Sequence, residues 1–125
     1  MTNPIFAPQE LPMKDYRDIT HSVSANIAEL RKLVPEAMQG FQALAKSAGA
    51  DGRLDKKVKE LIALAIGVTQ RCDGCIGFHI KALKGMGASR DEVAEVLAVC
   101  VYMGGGPALM YAADALGAYD EFGTP

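Results

Sequence analysis

Gln70-Arg71-Cys72-Asp73-Gly74-Cys75-Ile76-Gly77-Phe78-His79 holds two of the chain's three cysteines at C-x-x-C spacing, with a histidine four residues after the second. Read as a helix, Cys72 and Cys75 are i,i+3, Cys75 and His79 are i,i+4, and Cys72 and His79 are i,i+7, so all three share one face. A C-x-x-C entering a helix makes a reactive dithiol. The unpaired N–H groups and partial positive charge of the helix start favour thiolate over thiol. Arg71 adds a cation beside the pair. Asp73 opposes it locally, although an acid suits the first turn of a helix.

On either side of this stretch the apolar residues recur at helical spacing. Upstream, a helix is expected from about Leu54 to Thr69, with Asp55 near its start; Leu61 to Val68 is apolar all round, the mark of a helix buried in a core or an oligomer. Before it, Ile19, Val23, Ile27, Leu30 and Leu33 define a helix over Met13 to Leu33. Val34 leaves helical geometry ahead of Pro35, which opens a second helix ending near Ala48-Gly49; Asp51-Gly52 marks a turn. Downstream, Gly85-Met86-Gly87 ends the C-x-x-C helix. Ser89 and Glu92 form a capping box for a fifth, whose apolar face is filled by Val93, Val96, Leu97, Cys100, Val101 and Met103. Gly104-Gly105-Gly106 breaks that helix, and Pro107 begins a sixth, alanine-rich one over Ala108 to Tyr119. Residues 1–12, with Pro4, Pro8 and Pro12, read as an N-terminal arm; 13–120 form one helical domain, and 121–125 a frayed end. No segment alternates with period two, so the fold class is all-α, about six helices.

A chain of 125 residues, half of them hydrophobic, is one domain with a real core. Its net charge of -2 gives no reason to expect nucleic acid or an anionic membrane surface as a partner. Three cysteines are an odd count, unlike a secreted disulfide framework, and point to a reducing cytoplasm. Met1 to Leu11 has no signal-peptide pattern, and the longest apolar run, Leu61 to Val68, is far short of the roughly 20 residues a membrane span needs. Two nearly all-apolar helices leave more apolar surface than a monomer tolerates, so a homo-oligomer is expected.

The dithiol reading needs a thiolate that attacks, a second thiol that resolves, and a base. Cys72 and Cys75 supply the thiols and His79 can supply the base. A peroxide would oxidise one thiolate to a sulfenic acid, and the other would condense with it to a disulfide. Cys72 has the better helix-terminus position and Cys75 the closer histidine. Two other readings compete. Cys72, Cys75 and His79 could ligate a metal with Glu60 or a water as fourth, although structural zinc sites usually show two such pairs and this chain has one. The cysteines could also be plain core residues, the reading preferred for Cys100 in Val99-Cys100-Val101. His21 reads as a surface histidine, and Glu60 by itself as a surface acid paired with Lys56 or Lys57.

Taken together, Glu60, then 72 − 60 = 12 positions to Cys72, then C-x-x-C, then x-x-x-His79, resembles the signature of the alkylhydroperoxidase D-like proteins of the carboxymuconolactone decarboxylase superfamily. Glu60-Leu61-Ile62-Ala63-Leu64-Ala65 before the motif and Met103-Gly104-Gly105-Gly106-Pro107-Ala108 after it agree, and the resemblance covers roughly Pro35 to Leu116. It implies an all-helical core, trimers or hexamers, and thiol-dependent peroxidase activity on hydroperoxides; the dithiol cycle itself calls for an external dithiol protein or small thiol as reductant, and no cofactor or metal is expected. Carried over, Glu60 is a distal base acting through a water and His79 the relay to the redox pair Cys72 and Cys75. Spacing alone does not select Glu60. In one straight helix it would lie about 18 Å from Cys72; the resemblance implies that the chain turns back as a hairpin, with Thr69-Gln70-Arg71 as the turn.

One departure matters. The best-studied peroxidases of this family carry a second histidine directly before the second cysteine, where this chain has Gly74. The decarboxylase branch, a lyase acting on a cyclic lactone acid, is the alternative enzyme reading, and the cysteine pair weighs against it. A non-catalytic redox-active oligomer is the third.

Overall fold

The computed structural model describes residues 14–123, which form five helices and, among those residues, no strand. The expected arm at 1–12 lies outside the described residues. Helix α1 spans Tyr16–Leu33, α2 Pro35–Gly49, α3 Lys56–Thr69, α4 Asp73–Gly85 and α5 Arg90–Glu121.

Local chemistry sets most of these boundaries. Asp15 Oδ1 accepts the Asp18 N–H at 3.0 Å and caps α1, which therefore begins at Tyr16 rather than Met13. Val34 sits at φ -133, ψ 64, outside helical geometry, and Pro35 opens α2. Asp55 caps α3 by accepting from Val58 at 2.9 Å, which moves the start from Leu54 to Lys56. Ser89 and Glu92 make the reciprocal capping box of α5.

The expected sixth helix is the second arm of α5. Only Gly105, at φ 71 and ψ -152, leaves helical geometry, so no loop separates the two arms and they form a single bent element. The bend is a reversal. A straight helix would hold Arg90 and Asp120 about 45 Å apart, yet the Arg90 guanidinium grips the Asp120 carboxylate at 2.9 and 3.0 Å. Arg90 pulls the Asp120 carboxyl below its usual range. Thus α5 is long and apolar enough to cross a membrane by composition, but it folds back into two arms, each shorter than a span requires.

The core lies where α3, α4 and both arms of α5 meet. Leu64 and Val68 of α3, Ile76, Ile80 and Leu83 of α4, and Val93, Leu97 and Cys100 of α5 are buried. On the second arm Ala108, Ala112, Ala115 and Ala118 form a small-residue face that lets the helices approach closely. Glu121 and Phe122, expected to fray, are docked instead. Glu121 accepts the Tyr16 N–H at 2.8 Å and the Arg17 N–H at 3.4 Å, supplying partners to the start of α1 from the far end of the chain. Phe122 packs against the core. By contrast, α2 buries no residue and leaves Phe41 and Leu44 exposed.

Candidate functional site

The α3–α4 connection determines the site's geometry. The Cys72 N–H donates to the Gly67 carbonyl at 3.0 Å and the Arg71 N–H to the Val68 carbonyl at 3.1 Å. Those two bonds are the Schellman pattern, and they require the residue after the C-cap to be left-handed. That residue is Arg71, at φ 58. The same pattern ends α4, with Ala88 donating to Leu83 at 2.9 Å and Gly87 to Lys84 at 3.1 Å; there the left-handed position, φ 78, belongs to a glycine. The tight stop turns the chain back on itself, so α4 runs beside α3. Gly67 permits their contact at the motif: a β-carbon at position 67 would stand 2.9 Å from that of Cys75.

Cys72 is the N-cap of α4, at φ -105 and ψ 99, and its sulfur accepts the Cys75 N–H at 3.1 Å. It lies outside the helix proper, so the one-face stacking expected for Cys72 with His79 does not hold; Cys75 and His79 remain one turn apart within α4. Cys72 and Cys75 are joined as a disulfide, their Cα atoms 5.2 Å apart. Both are half-buried. In the reduced pair the same N–H groups at the helix start would stabilise a Cys72 thiolate.

Glu60 projects from α3 across to α4. His79 Nδ1 lies 3.0 Å from both Glu60 oxygens. An ionised carboxylate can only accept, so Nδ1 is the donor, and in the neutral ring Nε2 holds the lone pair. The contact is direct, whereas the family resemblance implied a water in Glu60's path. Neither lysine neighbour takes Glu60: Lys57 pairs instead with Glu92 at 2.7 Å. The Glu60–His79 pair opens onto a groove of about 520 Å3 between α2, α3 and the end of α4.

On the other side of the motif lies a network with no signal in the sequence. Lys14 Nζ bridges Asp73 at 3.0 Å and Asp114 at 2.6 Å, and the Tyr16 hydroxyl donates to Asp73 at 3.4 Å. Burial by itself would lower the Lys14 pKa, but the hydrogen bonds to Asp114 and Asp73 outweigh it and raise it above its ordinary value. Burial, reinforced by the Asp73 charge, pushes the Tyr16 hydroxyl up, so it stays protonated and donates. The Asp73 charge beside the cysteines is therefore balanced by Lys14. Lys14 and Asp114 are 100 residues apart, beyond the reach of any spacing rule.

Cys100 is buried in the core, its sulfur 3.7 Å from the Ala65 carbonyl, and burial raises its thiol pKa. It belongs to the packing, as expected. His21 is exposed on α1. Among the described residues no three His, Cys, Asp or Glu side chains gather where a metal could sit, and a closed disulfide offers no thiolate ligands.

A model of the carboxymuconolactone decarboxylase family matches residues 35–118. An uncharacterized protein of Cupriavidus necator is 43% identical over 98 residues, covering 78% of this chain and 87% of the relative. A protein from the cox locus of Paracoccus denitrificans is 36% identical over 98 residues, 78% of this chain and 88% of the relative. Among solved structures, an apo carboxymuconolactone decarboxylase family protein from Legionella pneumophila superposes with a TM-score of 0.86 at 51% identity, over 87% of this chain and 97% of that one. A family member from Thermotoga maritima, for which involvement in antioxidative response has been suggested, superposes with a TM-score of 0.69 at 31% identity, over 79% of this chain and 86% of that one.

Proposed function

The chain belongs to the carboxymuconolactone decarboxylase family, and on that premise we propose that it is a thiol-dependent peroxidase of the alkylhydroperoxidase D-like kind. The observation that carries this reading is the closed Cys72–Cys75 pair at the start of α4, one turn from a histidine held by Glu60. A lyase has no need of a dithiol that can close.

In the proposed cycle His79 Nε2 takes the Cys75 proton, and Glu60 orients the ring and stabilises the imidazolium that forms. The Cys75 thiolate attacks the distal peroxide oxygen, the O–O bond breaks, and the alcohol leaves with a proton. Cys75 is then a sulfenic acid. Cys72 attacks its sulfur, the S–S bond forms, and water departs. Two thiols have given two electrons to one peroxide. An external dithiol, a protein or a small thiol, restores the pair by exchange. Such a cycle needs a reducing compartment, in keeping with a cytoplasmic protein.

We also propose a homotrimer or homohexamer. Ile62, Ile66, Val99, Tyr102, Met103 and Met110 are all exposed on the single chain, more apolar surface than a monomer usually leaves to water.

The test is to trap the sulfenic acid with a dimedone-type reagent in single Cys→Ser variants. Cys72→Ser should accumulate the adduct on Cys75, and Cys75→Ser should yield little. The reverse labelling would exchange the two roles. No adduct in either variant, with activity on a cyclic lactone acid, would move the chain to the lyase reading.

A further inference from the structure

The net charge of the chain is -2, yet the groove beside Glu60 and His79 is cationic. Lys46 from α2 and Lys56 and Lys59 from α3 line it, against the single carboxylate of Glu60. That carboxylate is already engaged by His79, which leaves the lysine charges in excess. Lys59 is held in place, its ammonium donating to the Ala50 carbonyl at 2.6 Å. Lys46 and Lys56 have no ion-pair partner among the described residues, and both residues are exposed. Between the lysines the walls are apolar: Ala45 and Ala48 of α2, Ala63 of α3 and Met86 at the end of α4.

A volume of about 520 Å3 falls within the range of small-molecule sites, and a mainly apolar lining with a few fixed charges is their usual make-up. Hydrogen peroxide needs neither the volume nor the apolar walls. An inorganic anion needs the lysines but not the alanines and the methionine. We propose that this groove is the substrate site for amphipathic acids: hydroperoxides with an apolar chain and a carboxylate at its far end. The inference rests on the peroxidase reading and names its substrate class. The carboxylate meets Lys46 and Lys56 at the rim through charge-assisted hydrogen bonds. The chain lies along the alanine walls. The peroxide end points past His79 toward Cys75, one turn further along α4.

The reaction is the one already written. The carboxylate takes no part in it, and the product is the corresponding hydroxy acid, with water and the Cys72–Cys75 disulfide.

The experiment compares the full chain, reduced, against three oxidants under single turnover at low salt: hydrogen peroxide, a medium-chain fatty acid hydroperoxide and its methyl ester. In parallel, calorimetry measures dodecanoate, which has no peroxide bond, binding to the oxidised protein. The acid should react about 10-fold or more faster than its ester, the order of advantage that local charge gives to an association rate. Salt should erode that ratio. Lys46→Glu with Lys56→Glu should collapse it, and should abolish dodecanoate binding. Both side chains are exposed, so folding is not at stake. If hydrogen peroxide and the ester oxidise the thiols while the acid shows no advantage and dodecanoate does not bind, the substrate class is wrong and the peroxidase reading survives. If dodecanoate binds and no hydroperoxide oxidises the thiols, the anion site stands and the peroxidase reading falls.

Discussion

Glu60 and His79 are a good measure of how a side chain acquires a role. Neither lies near the other in sequence, and neither is unusual where it stands. Their contact at 3.0 Å makes Nδ1 the donor, so that the neutral ring presents Nε2 as the acceptor. If they act as a base, Glu60→Gln and His79→Gln should each slow single-turnover oxidation on the order of 10²-fold at neutral pH. The sign of the pH dependence follows. As pH rises toward about 8.5, the ordinary thiol pKa, thiolate forms without help and the deficit of both variants should shrink. Coincident pH–rate profiles for wild type and both variants would remove the pair from the chemistry. Gly74, where the family's better-known peroxidases have a second histidine, faces elsewhere. A β-carbon there would meet Val23 of α1 at 3.9 Å, so a side chain at 74 would pack toward α1, on a different face of α4 from His79.

At the scale of elements, the caps were readable in the sequence because their chemistry is local. Pro35, the Ser89–Glu92 box and the Gly85-Met86-Gly87 stop all concern residues within a few positions of one another. The C-x-x-C with its following histidine was readable for the same reason. What could not be read is whatever closes over long separations: Glu121 serving the start of α1, Lys14 balancing Asp73, and the reversal that lays the second arm of α5 against the first. The glycine run announced a break at 104–106 but not its angle, since one left-handed glycine can serve a kink or a hairpin equally. Glu60 was reachable only through the family resemblance, because the hairpin that delivers it depends on Arg71 taking a left-handed conformation. That conformation is better suited to glycine, the residue found at the equivalent place after α4. Arg71→Gly should therefore stabilise the protein by about 1 kcal/mol in denaturant titration. It should also slow closure of the disulfide on the Cys75 sulfenic acid at neutral pH, because it removes the cation next to the resolving Cys72 thiolate. A more stable variant with an unchanged rate would leave Arg71 no role beyond the turn.

For the whole molecule, the division between covered and uncovered apolar surface is uneven. The faces of α3, α4 and α5 that meet one another are closed to water, while α2 and the bend of α5 present Phe41, Leu44, Tyr102 and Met103 to solvent. Surface of that kind is relieved by association. Light scattering at micromolar concentration should return the mass of three or six chains, and a monomer would contradict the assembly.

The central claim is that Cys72 and Cys75 work as a reversible dithiol while Cys100 does not. Its most direct test is a thiol count on the reduced protein before and after one equivalent of hydroperoxide. The chain has three cysteines, and burial both shields Cys100 and raises its pKa. The predicted result is a fall from three thiols to one, with mass spectrometry placing the remaining thiol at Cys100 and a dithiol reductant restoring all three. Retention of all three thiols after peroxide treatment would contradict the account.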